Sequence, residues 1–211
     1  MTFCPQEDQS RLLTSVFGSD VLFDTIRAMA AAVDAKSQYT KGHSLRVAEL
    51  SYRIGAEMKL SEKQLAILLF AGHVHDIGRI GTNDTTLSKS STLTASEWAN
   101  VLKHPADGSQ ILKDIPELKE VALAIRHHHE RTDGLGYPDR LGGDAIPLLA
   151  RILAVAEAFD AMTSARPYRG GLGDNDAFEE LKKHSGKQFD PDVVEAAVSA
   201  IQNQADGRKA A

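Results

Sequence analysis

The chain has 211 residues, of which 42% are hydrophobic and 25% are charged, a composition typical of one soluble globular domain. Its 29 acidic and 24 basic residues give a formal charge of −5, so no overall positive charge attracts nucleic acid or an anionic membrane. A single cysteine, Cys4, excludes an internal disulfide framework, and no apolar run or basic leader predicts a membrane span or signal peptide. We therefore expect a cytoplasmic protein.

The chain order predicts a short lead, one domain and a tail. Residues 1–19 form an amphipathic lead, residues 20–203 the domain, and residues 204–211 a polar tail. Apolar residues of the lead recur at helical spacing and are expected either to pack on the domain or to join it to something else: Leu12, Leu13, Val16 and Phe17.

Helical periodicity and capping signals recur throughout the domain. Ser61 and Thr94 each open a capping box, with Gln64 and Glu97 three residues later. The patterns predict helices at about residues 20–36, 41–58, 61–75, 94–102, 105–112, 117–129, 148–164, 174–184 and 191–201. Residues 82–91 and the Gly- and Pro-rich residues 133–147 are predicted loops, the first a candidate lid. No segment alternates as a strand does, so the fold class is predicted to be all-α.

The stretch GHVHDIGRIG, residues 72–81, places His75 and Asp76 at the end of an apolar helix. A buried imidazole beside a buried carboxylate needs a partner for each, and a divalent cation satisfies both. For this dipeptide alone, a helix-terminal histidine with a surface capping aspartate is the competing interpretation.

Seven of the eight histidines fall between positions 43 and 129, near predicted helix ends: His43, His73, His75, His104, His127, His128 and His129. Nitrogen and carboxylate ligands without a nearby cysteine suit Fe, Mn, Zn or Ni. More than four such ligands exceed what one tetrahedral ion needs, so the pattern indicates two adjacent ions. Such a pair polarises a phosphoryl oxygen and generates a hydroxide nucleophile. We expect His127 outside this set, because on an ideal helix it points about 100° away from His128.

Four motifs occur in order: HDIGRIG from His75, HPADG from His104, HHERTDGLGYP from His128, and AMTSARPYR from Ala161. Together they resemble the HD-GYP subfamily of HD-domain phosphohydrolases, over about residues 34–195. The resemblance implies an all-helical HD-domain bundle with a Gly-rich loop between helices. It also implies an enzyme: a bacterial phosphodiesterase that hydrolyses cyclic di-GMP to linear pGpG through a metal-activated hydroxide.

The resemblance also implies which residues form the metal centre. His75 and Asp76 are the expected catalytic residues, and the implied metal ligands are His43, His75, Asp76, His104, His128 and His129. The family adds a carboxylate where this chain has Glu157, one methylene longer than the usual aspartate. We predict Glu157 as that ligand and Asp160 as a supporting group.

Three arginines are candidate substrate-binding residues. Arg166 and, more weakly, Arg169 flank Tyr168 and suit a ligand with two phosphates and two guanine rings. Arg79 stands where the family usually has lysine, so a forked planar donor replaces a compact one and the substrate preference can differ.

Metal number and function remain open at this point. Tyr39 stands where three-metal members carry a glutamate, so we expect two divalent ions per chain, Fe or Mn first, with Ni, Zn or Co also suitable. Hydrolysis of another cyclic dinucleotide such as 3'3'-cGAMP, and a non-catalytic cyclic-dinucleotide-binding signalling module, are the alternatives.

The loop residues Gly136, Tyr137 and Pro138 give the subfamily its name. Either the loop only connects helices, or it shapes the site and docks signalling proteins. The oligomeric state cannot be predicted from these patterns.

Overall fold

The computed structural model describes residues 6–18, 20–35, 42–89, 91–165 and 170–209, and within these ranges it is helical without any β-strand. The α-helices are α1 (Gln6–Phe17), α2 (Asp20–Asp34), α3 (His43–Glu57), α4 (Glu62–Val74), α5 (Asp84–Leu87), α6 (Ala95–Val101), α7 (His104–Leu112), α8 (Lys119–Arg126), α9 (Leu148–Thr163), α10 (Asp174–Lys183) and α11 (Pro191–Lys209). Short 3₁₀ helices occupy Ile77–Gly81, Pro116–Leu118 and Gly143–Ala145. The predicted all-α class is confirmed.

Both predicted capping boxes are present. The Ser61 side chain accepts a hydrogen bond from the Gln64 amide, and the Gln64 side chain accepts one from the Ser61 amide at 3.1 Å. Thr94 and Glu97 make the same reciprocal pair at the start of α6. These local signals were therefore sufficient to place the starts of α4 and α6.

Helix α4 lies at the centre of the core. It is apolar on every side, and residues 66–74 are all buried. Gly72 permits the close crossing of α3, since a Cβ on Gly72 would lie 2.4 Å from the Ala48 Cα. Because α4 is buried up to its C-terminus, His75 and Asp76 lie inside the protein rather than on its surface, as helix-terminal polar residues more often do.

Helix α1 packs on this core. Leu13 and Phe17 are buried, and the Phe17 ring lies 5.1 Å from the Phe70 ring of α4. Leu12 and Val16 are partly buried against the same cluster. The apolar face of the predicted lead therefore contacts the domain.

Helix α8 is shorter than predicted. The periodic pattern predicted a helix through His129, but α8 ends at Arg126 and His127 adopts φ −108°. The three histidines therefore do not share a helix, and the ideal helical angle between His127 and His128 does not apply.

Other differences concern boundaries and faces. Residues 82–91, predicted as loop, contain the single turn α5, and α11 continues past the predicted end at Ile201 to Lys209. Leu45, an apolar residue in the first turn of α3, is 39% exposed.

Candidate metal centre

Four helix ends and the middle of a fifth helix meet at the predicted site. His43 is the first residue of α3, and His104 is the first residue of α7. His75 directly follows α4, whereas His128 and His129 follow the end of α8. The middle of α9 contributes Glu157. Residues that are far apart in sequence therefore come together where these helices meet.

The side chains form two groups of potential ligand atoms. The nitrogens of His104, His128 and His129 lie within 4.8 Å of one another. Nitrogens of His43 and His75 and a carboxylate oxygen of Glu157 form a second group within the same distance. The groups adjoin, since the rings of His75 and His128 are 5.4 Å apart.

Three of the histidines are oriented by the same local hydrogen bond. Nδ1 of His75, His104 and His128 lies 2.9, 2.8 and 2.5 Å from the carbonyl oxygen three residues earlier, at Gly72, Val101 and Ile125 respectively. A carbonyl can only accept, so Nδ1 carries the hydrogen and Nε2 keeps a lone pair in the neutral ring. Nδ1 of His43 donates in the same way to Asp160 Oδ2 at 2.7 Å.

The Nε2 atoms that remain face one another in pairs. His43 Nε2 lies 3.2 Å from His75 Nε2, and His104 Nε2 lies 3.3 Å from His128 Nε2. Two lone pairs cannot hydrogen-bond to each other. Each pair therefore requires a shared proton or a cation between its members, and divalent transition metals are the usual partner of such imidazoles.

Asp76 lies between the two groups. Oδ2 is 3.5 Å from His75 Nε2, and Oδ1 is 3.3 Å from His104 Nε2. The residue is 3% exposed, and among the described residues neither oxygen has a hydrogen-bond partner. A buried carboxylate is normally hydrogen-bonded or bound to a metal. The orphaned oxygens therefore fit a carboxylate that bridges two divalent ions.

Arg79 approaches the same carboxylate. Its Nε lies 2.6 Å from Asp76 Oδ1, although the contact does not meet the angles of a hydrogen bond. Burial alone would raise the pKa of the Asp76 carboxyl, but the charge of Arg79 and, in their protonated form, those of the nearby histidines together hold it well below its usual range. Asp76 is thus ionised and available to cations.

Glu157 reaches both groups. Its Oε2 is 3.8 Å from His128 Nε2 and 3.8 Å from His129 Nδ1, and the same residue belongs to the group of His43. Asp160, one turn later on α9, faces His43 Nδ1 instead. The geometry thus places Glu157 among the potential ligands and Asp160 behind His43.

Burial keeps the group of His104, His128 and His129 neutral. It lowers the pKa of His104, and it lowers the pKa values of His128 and His129 well below the ordinary range. Burial also acts to lower the pKa of His43, but the hydrogen bond to Asp160 and the negative charges of Asp76, Glu157 and Asp160 together outweigh it and raise the pKa. Neutral imidazoles are the form that binds metal.

The GYP loop supports His129. The Tyr137 ring stacks on the His129 ring at 4.9 Å, and the Tyr137 amide donates to the His129 carbonyl at 3.2 Å. A Cβ on Gly136 would lie 2.5 Å from the Arg131 nitrogen and the Glu130 Cα, so only glycine fits there. Pro138 follows a cis peptide bond. Of the two interpretations of this loop, its contacts favour the one in which it shapes the site.

The other residues that the sequence singled out lie outside both groups, as expected for His127, or outside the described part of the chain. His127 is outside both groups, with Nε2 at 2.9 Å from Asp139 Oδ2. His73 is buried, and burial lowers its pKa to about 4. The following residues lie outside the described part of the chain: Cys4, Tyr39, Arg166, Tyr168 and Arg169.

Two residues that the sequence reasoning did not select hold the site in place. Arg46 contacts both oxygens of Asp160, at 2.5 Å through Nε and 3.1 Å through Nη2. Its position three residues after His43, one helical turn away, was an available signal. Glu130 accepts hydrogen bonds from the amides of Asp139 and Leu141 inside the loop. No sequence pattern pointed to that role.

The fold and the site together define a class, an all-helical domain built around a centre of five histidines and two carboxylates. The chain belongs to the HD domain family, whose sequence model matches residues 27–193. This membership and the relatives below confirm the resemblance drawn from the motifs.

The cyclic di-GMP phosphodiesterase of Thermotoga maritima is 40% identical over 84% of this chain and 49% of its own length. The 3'3'-cGAMP-specific phosphodiesterase 3 of Vibrio cholerae is 36% identical over 83% of this chain and 38% of its own length. Among solved structures, Bd1817, an HDG"Y"P protein of Bdellovibrio bacteriovorus, has the same fold with a TM-score of 0.65. It is 19% identical and covers 93% of this chain and 70% of that one.

The chain thus spans less than half the length of these two curated relatives. None of the described helices is long and apolar enough to cross a membrane.

Proposed function

We propose that the chain is a metal-dependent phosphodiesterase that hydrolyses cyclic di-GMP to the linear dinucleotide pGpG. The observation that carries the proposal is Asp76, a buried carboxylate with two orphaned oxygens between two histidine-rich groups. Relatives named as cyclic di-GMP phosphodiesterases support the substrate, among them the Thermotoga maritima protein at 40% identity.

The centre is proposed to hold two divalent ions per chain, Fe or Mn first, with Ni, Zn or Co also compatible with the donors. One group would be His43, His75 and Glu157, and the other His104, His128 and His129, with Asp76 shared. Bound ions would supply Lewis acidity toward the phosphoryl oxygen and acidify a water molecule.

The remaining residues supply binding and orientation. Arg79 carries a guanidinium at the edge of the centre, with its side chain 23% exposed, and can meet a substrate phosphate from there. Arg166 and Arg169 are proposed to contact the second phosphate or the bases. Asp160 and the carbonyls behind the other rings fix which nitrogen each histidine presents.

A second candidate substrate is a mixed guanine-adenine cyclic dinucleotide. The Vibrio cholerae relative named as 3'3'-cGAMP-specific favours it, at 36% identity. Arg79, in place of the usual lysine, is the residue of this chain through which such a preference would act. Docking of signalling proteins on the GYP loop also stays a proposal, supported by Leu135, which is 76% exposed at the loop tip.

The test is to incubate metal-loaded protein with cyclic di-GMP, 3'3'-cGAMP and cyclic di-AMP and to separate the products by chromatography. Conversion of cyclic di-GMP to pGpG at the highest kcat/KM supports the proposal. Faster conversion of 3'3'-cGAMP selects the second candidate. Tight binding without any turnover would identify a signalling module and overturn the enzymatic proposal.

A further inference from the structure

A carboxylate of α2 contacts the first turn of α3. Asp34, the last residue of α2, accepts a hydrogen bond from the Ser44 hydroxyl through Oδ1 at 2.8 Å. Its Oδ2 accepts a second bond from the Ser44 amide at 3.3 Å. Both residues are buried, and Asp34 is only 9% exposed. The contact therefore joins two helix ends inside the protein.

The position of Asp34 is unfavourable for its own helix. A carboxylate at a helix C-terminus meets the negative end of the helix dipole, and α2 has no basic residue in its last turn to offset it. The same carboxylate faces the N-terminus of α3, where negative charge is favoured. The negative charge of Asp34 thus stabilises α3 rather than α2.

Helix α3 needs such a partner. Its N-cap residue is Gly42, at φ 71°, which has no side chain to accept a hydrogen bond from the first amides, and the first turn contains no acidic residue. An N-cap side chain normally accepts from the second or third amide of the helix. Ser44 supplies the second amide of α3, so Asp34 does for this helix what its own N-cap residue cannot.

The first residue of α3 is His43. Because Asp34 fixes Ser44, it also fixes the backbone from which His43 projects toward His75 and Glu157. The other ligand group, His104, His128 and His129, draws no residue from α3. The two groups therefore depend unequally on this contact.

We propose that Asp34 is a positioning residue for one half of the metal centre: it caps α3 from α2 and so places His43 where the group of His43, His75 and Glu157 can hold an ion. The ion at the other group does not depend on it. This inference rests on the two-ion centre proposed above.

The test compares Mn²⁺ binding in Asp34→Ala and in the matched control Asp190→Ala. Asp190 is also a buried aspartate, 8% exposed, that accepts from the first amides of a helix, at Asp192 and Val193 of α11. Titration followed by elemental analysis gives the number of ions and their affinities, and electron paramagnetic resonance separates a coupled pair from a single ion. Circular dichroism reports whether each variant is folded.

We expect the unmodified protein and Asp190→Ala to hold two ions, and Asp34→Ala to hold one tightly and the other about 10-fold more weakly or worse. Asp34→Asn should restore the second ion, because its side-chain oxygen still accepts from Ser44. His104→Ala identifies the ion: this variant should retain the ion of the His43 group, and combining it with Asp34→Ala should weaken that ion by the same factor.

Two ions of unchanged affinity in Asp34→Ala, or equal weakening of both ions, would overturn the inference, as would loss of an ion in Asp190→Ala. If Asp34→Ala does not fold, Ser44→Ala, which removes only the hydroxyl contact, must weaken the same single ion for the inference to stand. Fewer than two ions in the unmodified protein would refute the proposed two-ion centre itself, which is a different result.

Discussion

Nε of Arg79 lies 2.6 Å from Oδ1 of Asp76, so the guanidinium occupies the side of the carboxylate that also faces His104. In metal-free protein this guanidinium is the main positive charge next to the buried Asp76 carboxylate. Replacing it with the similarly sized, neutral methionine should lower the free energy of unfolding of the metal-free protein by about 3 kcal/mol, because a buried charge loses its partner.

With Mn²⁺ present, the destabilisation by Arg79→Met should shrink, since bound cations then offset the charge of Asp76. Urea unfolding with a chelator and with Mn²⁺ measures both values. Arg79→Lys, which keeps the charge, serves as the control. An equal loss of stability with and without Mn²⁺ would show that Arg79 acts through packing alone.

Asp76→Ala should remove bound metal and lower activity by more than about 100-fold, since it deletes the carboxylate shared by both ligand groups. The helical content should persist although the ion pair with Arg79 is lost, because the Asp76 side chain makes no hydrogen bond with the described residues and caps no helix. Elemental analysis beside circular dichroism measures both. Metal retained at the unmodified ratio would exclude Asp76 as a ligand.

Gly136→Ala should distort the GYP loop. The added Cβ would lie 2.5 Å from two backbone atoms, so the loop must shift, with a loss of about 1–3 kcal/mol in the free energy of unfolding. The stacking of Tyr137 on His129 should weaken, and metal affinity should fall at the group that contains His129. Chemical unfolding and Mn²⁺ titration test this.

The matched control for Gly136→Ala is Gly173→Ala, where the nearest atom of the described residues to the new Cβ would be an Asp176 oxygen at 3.9 Å. It should leave metal affinity unchanged. Equal metal binding in both variants would mean that the loop does not support His129.

Arg166→Ala should weaken cyclic dinucleotide binding by ~1.5–3 kcal/mol, the range of a hydrogen bond to a charged group. Metal content should stay the same. This prediction comes from the sequence motif alone. Isothermal titration on a catalytically slow variant measures it, and unchanged affinity in both Arg166→Ala and Arg79→Ala would place the phosphates elsewhere.

Fully loaded protein should contain two ions about 3.5–4 Å apart, the usual separation in paired-metal sites. Its main product should be pGpG, with slow or absent cleavage to GMP. A crystal structure of the loaded protein and a product time course test these points. Three ions per chain, or rapid formation of GMP, would contradict the prediction.

The sequence was sufficient for the fold class and for the set of residues that meets at the centre. Capping boxes depend on residues three apart, so Ser61 and Thr94 could be assigned without any tertiary information. The histidine motifs can also be read directly from the sequence, and the residues that they indicated do lie together. Metal binding by these residues stays a prediction.

What the sequence could not predict depends on contacts between distant segments. The end of α8 at Arg126 was missed because the three histidines after it include no helix-breaking glycine or proline, whereas His127 turns toward Asp139 in the loop. The capping of α3 by Asp34 depends on how α2 packs against α3, and the sequence of neither helix indicates that packing. Leu45 and Met29 are apolar residues of predicted helices, yet both are more than a third exposed.

Four imidazole rings of the centre are already hydrogen-bonded to protein through Nδ1, three to carbonyls and one to Asp160. The rotational entropy of these rings is therefore lost when the chain folds, and little of it remains to be lost on metal binding. Each ring also presents a single nitrogen in a fixed direction. Selectivity among divalent ions should then follow from how well each ion tolerates an imposed geometry, rather than from how readily the ligands rearrange around it.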